Sequence, residues 1–167
     1  VETKYQNLTI SGSGSLTVGS IKVHNQKASS DDKPNLTING ATVTVGTAEL
    51  TTRAIDIDGD LTVTNGSLTA TSASNNVPTV QVGGNASFTG STVTITNNST
   101  TQGEQYKDSN AASSALHVNG AVTISGGTVT AEAKAGGNAI RAVGNITVSN
   151  DATVTAKNNS QYLSLIH

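Results

Sequence analysis

The sequence has no cysteine, methionine or tryptophan, one phenylalanine (Phe88), three tyrosines and two prolines. Without cysteine, disulfides, zinc–thiolate sites and thiol catalysis are excluded together. With aromatics at 2%, a globular core built on large rings is excluded too, so Ala, Val, Leu and Ile must do the burying. Charge is sparse, at 12% charged residues and a net charge of -2. That leaves no basic surface to neutralise phosphates, and nucleic acid is not an expected partner. No apolar run approaches the roughly 18 residues needed to cross a bilayer as a helix, so no membrane insertion is expected. The chain starts without Met and shows no signal-peptide pattern, and Val1 is expected to be a processed start. Thr, Ser, Asn and Gly dominate, as in many exported bacterial surface proteins, and the expected location is secreted or cell surface.

What is present is a repeat. ALHVNGAVTISGGTVTA (115–131) packs three short alternating segments with a Gly-bearing corner between each pair, and related versions occupy 54–70, 79–95 and 139–156. A repeat of this period implies a solenoid, in which each unit stacks on its neighbour because it cannot bury its own apolar face alone. Length and an unbroken repeat together predict a single domain over 1–167.

The second segment of each unit recurs most faithfully: LTIS from Leu8, LTIN from Leu36, LTVT from Leu61, ASFT from Ala86, VTIS from Val122 and ITVS from Ile146. Apolar residues alternate with Thr or Ser, the period of a strand with one buried face. Four residues after each leading apolar residue stand Gly12, Gly40, Asn65, Gly90, Gly126 and Asn150. Gly and Asn tolerate a left-handed backbone best, so this column predicts a positive-φ corner in every unit. A third strand follows each corner, with Leu or Val inward between outward hydroxyls. The first strands begin at Ile21, Ile55, Val80, Leu116 and Ile140, and Gly59, Gly84, Gly120 and Gly144 mark the corner that leads from them to the second strands.

The expected fold is therefore all-β: a right-handed parallel β-helix (solenoid) with three strands per coil and about five to six coils. Insertions are expected mainly at the third corner, at 46–53, 71–78, 97–114 and 132–138, with one more at 25–34. Such polar loops along one edge are where a solenoid usually places function. The chain is expected to enter at a second strand, and Tyr162 to His167 reads as the first strand of a further coil. Open ends suggest either additional coils or a capping domain, or a short self-capping tail.

Three constellations could carry chemistry. Outward positions of the third strand form two columns, Ser15, Thr42, Ser67, Thr92, Thr128 and Thr153 beside Thr17, Thr44, Thr69, Thr94, Thr130 and Thr155. Spaced about 4.8 Å between coils and roughly 7 Å along the strand, they make a hydroxyl lattice that resembles the ice-binding face of β-helical antifreeze proteins. The competing reading is that Thr is simply a good exposed strand residue.

The first-strand column differs: Lys22, Asp56, Gln81, His117 and Arg141, with His24, Asp58 and Asn119 beside it. Here charges and amides replace hydroxyls, as a strip that orients a hydroxylated ligand such as a polysaccharide would. A solvated face of mixed charge is the plainer alternative. Tyr106, in the longest insertion with Glu104, Lys107 and Asp108, is a candidate for stacking on a sugar ring.

Asp56, Asp58 and Asp60 invite a calcium reading, with Asp31 and Asp32 as further donors. Asp56 and Asp58 lie roughly 7 Å apart in an extended strand, and the spacing fails the EF-hand pattern. Catalysis is not expected. Arg53 and Arg141 are the only arginines, the acids are scattered, and His24, His117 and His167 sit in no nucleophile motif.

The phrases GNAIRAVGNITVSNDATVTA (137–156) and ALHVNGAVTISGGTVTAEAKAGGN (115–138) resemble repeats of large surface proteins of anaerobic Gram-positive bacteria. They also resemble pectate-lyase-like β-helix modules that bind cellulose and acidic sugars, some with calcium, without cleaving them. The resemblance implies a non-catalytic carbohydrate-binding or adhesin module. In that family acidic pairs recur at the corners, and here only Asp31, Asp32 and the Asp56 to Asp60 cluster match. A passive stalk of a larger surface protein is the alternative that binds nothing.

Overall fold

The computed structural model describes residues 1–25, 32–101, 113–135 and 137–158. Among them the structure is all-β, with no helix and with every strand pairing parallel. The first ladder runs β1 (Glu2–Lys4), β4 (Ile21–His24), β7 (Ile55–Ile57), β10 (Val80–Val82), β12 (Leu116–Val118) and β14 (Ile140–Ala142). The second joins β2 (Leu8–Ser11), β5 (Leu36–Asn39), β8 (Leu61–Thr64), β11 (Ala86–Asn97), β13 (Val122–Ala133) and β15 (Ile146–Ser149). The third joins β3 (Ser15–Val18), β6 (Thr42–Gly46), β9 (Ser67–Ser72), the C-terminal halves of β11 and β13, and β16 (Thr153–Asn158).

Register places like on like. Leu8, Leu36, Leu61, Ala86, Val122 and Ile146 form one inward column, and Ile10, Ile38, Val63, Phe88, Ile124 and Val148 the next. The middle members of both columns are fully buried, Phe88 included, and join the first- and third-strand aliphatics in one core. Each such side chain stabilises the stack by about 1.5–3 kcal/mol.

All six residues of the corner column adopt positive φ: Gly12 (99°), Gly40 (74°), Asn65 (51°), Gly90 (55°), Gly126 (70°) and Asn150 (54°). Gly90 and Gly126 lie inside β11 and β13, which run on from the second ladder into the third. The other corner uses glycine for a different reason. A Cβ on Gly59, Gly84 or Gly120 would meet Asn35 Oδ1, Asp60 Oδ1 or Asn85 Oδ1 at 2.2, 2.1 and 2.4 Å, so close approach between layers excludes any side chain there.

Those acceptors form a ladder. Asn7 Oδ1 accepts the Asn35 N–H at 2.8 Å, Asn35 Oδ1 that of Asp60 at 2.7 Å, Asp60 Oδ1 that of Asn85 at 2.6 Å, and Asn85 Oδ1 that of Ala121 at 2.9 Å. At Ala121 the series stops, because alanine has no acceptor to offer.

Two expectations need correction. The chain does not enter at a second strand: β1 pairs with β4 through Glu2↔Lys22, Thr3↔Val23 and Lys4↔His24. Its inward residue is Thr3 rather than an aliphatic, which hid the alternation. The third strands also run beyond the expected loop starts at Thr71 and Glu132, reaching Ser72 in β9 and Ala133 in β13. Their last inward residues, Ser72, Asn97 and Ala133, are buried but small or polar, so they carry no apolar signature. The Tyr162 to His167 segment lies outside the described residues. At the last described layer, Ile146 and Val148, which align with buried Val122 and Ile124, are 51% and 49% exposed.

Candidate functional site

The first ladder brings every described member of the expected strip into one register. Glu2, Lys22, Asp56, Gln81, His117 and Arg141 stand one above another on consecutive strands. Inward neighbours hold them there, since Ile21 and Val23, Ile55 and Ile57, Val80 and Val82, and Leu116 and Val118 are all buried. A second outward column runs beside it, from Lys4 and His24 to Asp58, Gly83 and Asn119. Its continuation past the strand ends is carried by backbone bonds from Asp58 N to Val23 O, Gly83 N to Ile57 O and Asn119 N to Val82 O.

The strip is cross-linked within itself. Arg53 Nη1 donates to Asp56 Oδ2 at 3.1 Å, and His24 lies between two carboxylates, with Nε2 3.5 Å from Asp56 Oδ2 and Nδ1 3.9 Å from Asp58 Oδ1. Asp58 Oδ2 in turn accepts the Asn25 N–H at 2.7 Å. These half-exposed pairs contribute little stability, about 0–1 kcal/mol each. Their effect is to fix orientation.

His117 Nδ1 lies 3.0 Å from Gln81 Oε1. A carbonyl oxygen only accepts, so the ring carries its proton on Nδ1 and keeps Nε2 as an acceptor. Burial, reinforced by the nearby Arg141 and Arg53 guanidinium groups, lowers the His117 pKa below its ordinary value of 6.5. At neutral pH the imidazole is therefore uncharged, and His117 acts as a hydrogen-bonding group rather than a cation.

Arg53 was not among the residues the sequence singled out. It sits at the end of the 46–53 insertion, three positions before Asp56, and that spacing was the available signal. His24 likewise gains two carboxylate neighbours that no linear motif announces, because they come from the adjacent layer.

A shallow depression of about 300 Å³ opens beside the strip, lined by Asn25, Asp32, Lys33, Asp58, Gly83 and Asn119. Its residues come from four successive layers of the stack.

The expected calcium donors are not gathered at one point. Asp56 faces Arg53 and His24, Asp58 faces His24 and Asn25, and the Asp60 carboxylate is built into the corner ladder. Asp32 lines the depression, and no group of three or more His, Cys, Asp or Glu able to hold a metal occurs among the described residues. Asp31, Glu104, Tyr106, Lys107, Asp108 and His167 lie outside the described residues.

The hydroxyl columns of the third ladder are aligned in full, from Ser15↔Thr42 and Thr17↔Thr44 through to Thr128↔Thr153 and Thr130↔Thr155. The second ladder presents a matching column of Thr9, Thr37, Thr62, Ser87, Thr123 and Thr147. Hydroxyls thus dominate two of the three faces, with Asn39 on the second and Glu132 and Lys157 at the far end of the third as exceptions, whereas the first carries charges and amides throughout its columns.

No helix among the described residues is long and apolar enough to cross a membrane. Comparison with protein-family models, curated proteins and solved structures found no match to this chain.

Proposed function

We propose that the chain is a non-catalytic module of a secreted or cell-surface bacterial protein that binds polysaccharide along its first-strand face. In this reading the parallel ladders wind as a right-handed β-helix of three strands per coil and five to six coils, like the pectate-lyase-like modules its repeats resemble. The observation that carries it is the column Lys22, Asp56, Gln81, His117 and Arg141. It is a straight run of donors and acceptors at strand spacing, about 4.8 Å per layer, on the one face whose columns are not dominated by hydroxyls. A glycan chain presents hydroxyls in a comparable linear series, and such groups fix orientation through hydrogen bonds.

The prearranged pairs support this use. Arg53 holds the Asp56 carboxylate, and Gln81 holds the His117 ring, so little side-chain entropy remains to be lost there when a ligand arrives. Tyr106, in the 97–114 insertion, is the candidate for a stacking ring. Calcium is not required by the arrangement.

The registered Thr columns favour a second reading, adsorption to an ordered lattice such as ice. The same hydroxyl pattern on a second face weakens it, because the lattice then marks no particular surface.

Pull-down on insoluble and soluble polysaccharides, comparing the native chain with Asp56→Ala and Arg141→Ala, tests the proposal. Both variants are expected to lose about tenfold or more in retention, the effect of removing a charged hydrogen-bonding partner. Unaltered retention in both removes this face as the binding surface.

A further inference from the structure

The outward column beside the strip contains one residue without a side chain. Gly83 stands between Asp58 in the layer before it and Asn119 in the layer after it, and all three line the depression. Glycine is obligatory there, because a Cβ would lie 2.3 Å from Asp58 O and 2.9 Å from Asp58 C. The notch is thus a fixed feature of the stack.

Its walls are organised from both sides. The Asn25 N–H holds Asp58 Oδ2 at 2.7 Å, and Asn25 Nδ2 donates to Asp32 O at 2.5 Å, which ties the Asp32–Lys33 wall to the end of β4. Asp58 Oδ1 lies 3.9 Å from His24 Nδ1, beyond hydrogen-bonding distance, and so keeps acceptor capacity.

The chemistry of this lining selects its occupant. Two carboxylates, Asp58 and Asp32, repel an anion. The Lys33 ammonium opposes a metal or an organic cation. The amides of Asn25, which is engaged with Asp32, and of Asn119 complete the lining, and a volume of about 300 Å³ is at the lower end of the range for small-molecule sites. We infer that the notch over Gly83 is a subsite for one uncharged sugar ring of a neutral glycan, with Asp58 Oδ1 accepting from a ring hydroxyl and the Asn119 amide engaging its neighbour. The inference rests on the reading of the first-strand face as a glycan-binding surface and adds the charge class of the ligand and its point of closest engagement.

Titration calorimetry with cellohexaose, xylohexaose, mannohexaose and hexagalacturonate tests it on the native chain, Asp58→Asn, Asn119→Leu and Arg141→Ala. Asp58→Asn keeps an oxygen for the Asn25 N–H while removing the charge, so the fold is preserved, and a thermal melt verifies this for each variant. The expected result is binding of at least one neutral hexasaccharide, hexagalacturonate at least about tenfold weaker, and a loss of about tenfold or more in both Asp58→Asn and Asn119→Leu. Neutral binding that survives both of those variants but falls in Arg141→Ala overturns the subsite and leaves the strip standing. Preference for hexagalacturonate overturns the neutral class while keeping the face. Binding of none of the four overturns the subsite and the glycan reading together.

Discussion

At the scale of single residues, two corners of the stack are specified by opposite requirements. One needs a left-handed backbone, met by Gly at four positions and by Asn65 and Asn150 at the others. The other needs no room beyond Cα, because the side-chain oxygen of the layer below occupies the space. That oxygen belongs to the Asn7–Asn35–Asp60–Asn85 ladder, which is visible in the sequence as Asn or Asp immediately before every second strand except the one after Ala121, yet its partners come from the next layer and no local pattern names them. The ladder also yields a prediction. Ala121→Asn should supply the missing acceptor for the Asn145 N–H and raise stability by about 1 kcal/mol, roughly 2–4 °C in Tm for a chain of this size. Calorimetry of the single variant checks the sign, and a lowered Tm counts against the ladder as a stabilising series.

At the scale of strands, the first ladder couples titration to folding. His117 on β12 faces Gln81 on β10 and Arg141 on β14, with Arg53 acting from the connection before β7; the same face carries Lys22 and His24 on β4 and Asp56 on β7. Its pKa is lowered in the folded state, so below about 6.5 the unfolded chain binds the proton more readily than the folded one. Stability from this residue is complete above that pH and declines as pH falls through the window beneath it. Denaturation midpoints measured from pH 7.5 to pH 5 should drop in the native chain and drop less in His117→Gln. Equal slopes would mean that burial and the nearby guanidinium groups do not act on the ring as the geometry indicates.

How legible the strands were follows from their inward residues. Where both inward positions are aliphatic, as in Ile55–Ile57 or Leu61–Thr64, alternation marks the strand directly. Where an inward position is Thr3, Ser72, Asn97 or Ala133, the strand is real but silent in the pattern, because ladder pairing rather than apolarity holds it. The polar strip was legible because period two puts every second residue of a first strand outward. The His24 carboxylate pairs were not, since their partners are set by the layer-to-layer offset and not by chain spacing.

At the scale of the whole molecule, parallel stacking in register turns a short repeat into three long faces, and the composition of each column decides what that face can do. Thr and Ser hydroxyls dominate two faces, and one carries ionised and amide groups along its columns with a notch at Gly83. The absence of cysteine lets each face be blocked by itself, with a bulky maleimide on a single introduced thiol. The most direct test is retention on cellulose or xylan of labelled Gln81→Cys against labelled Thr130→Cys. A glycan-binding first-strand face predicts that the Gln81 label lowers retention at least about tenfold while the Thr130 label leaves it unchanged; retention lost with the Thr130 label and kept with the Gln81 label would contradict it.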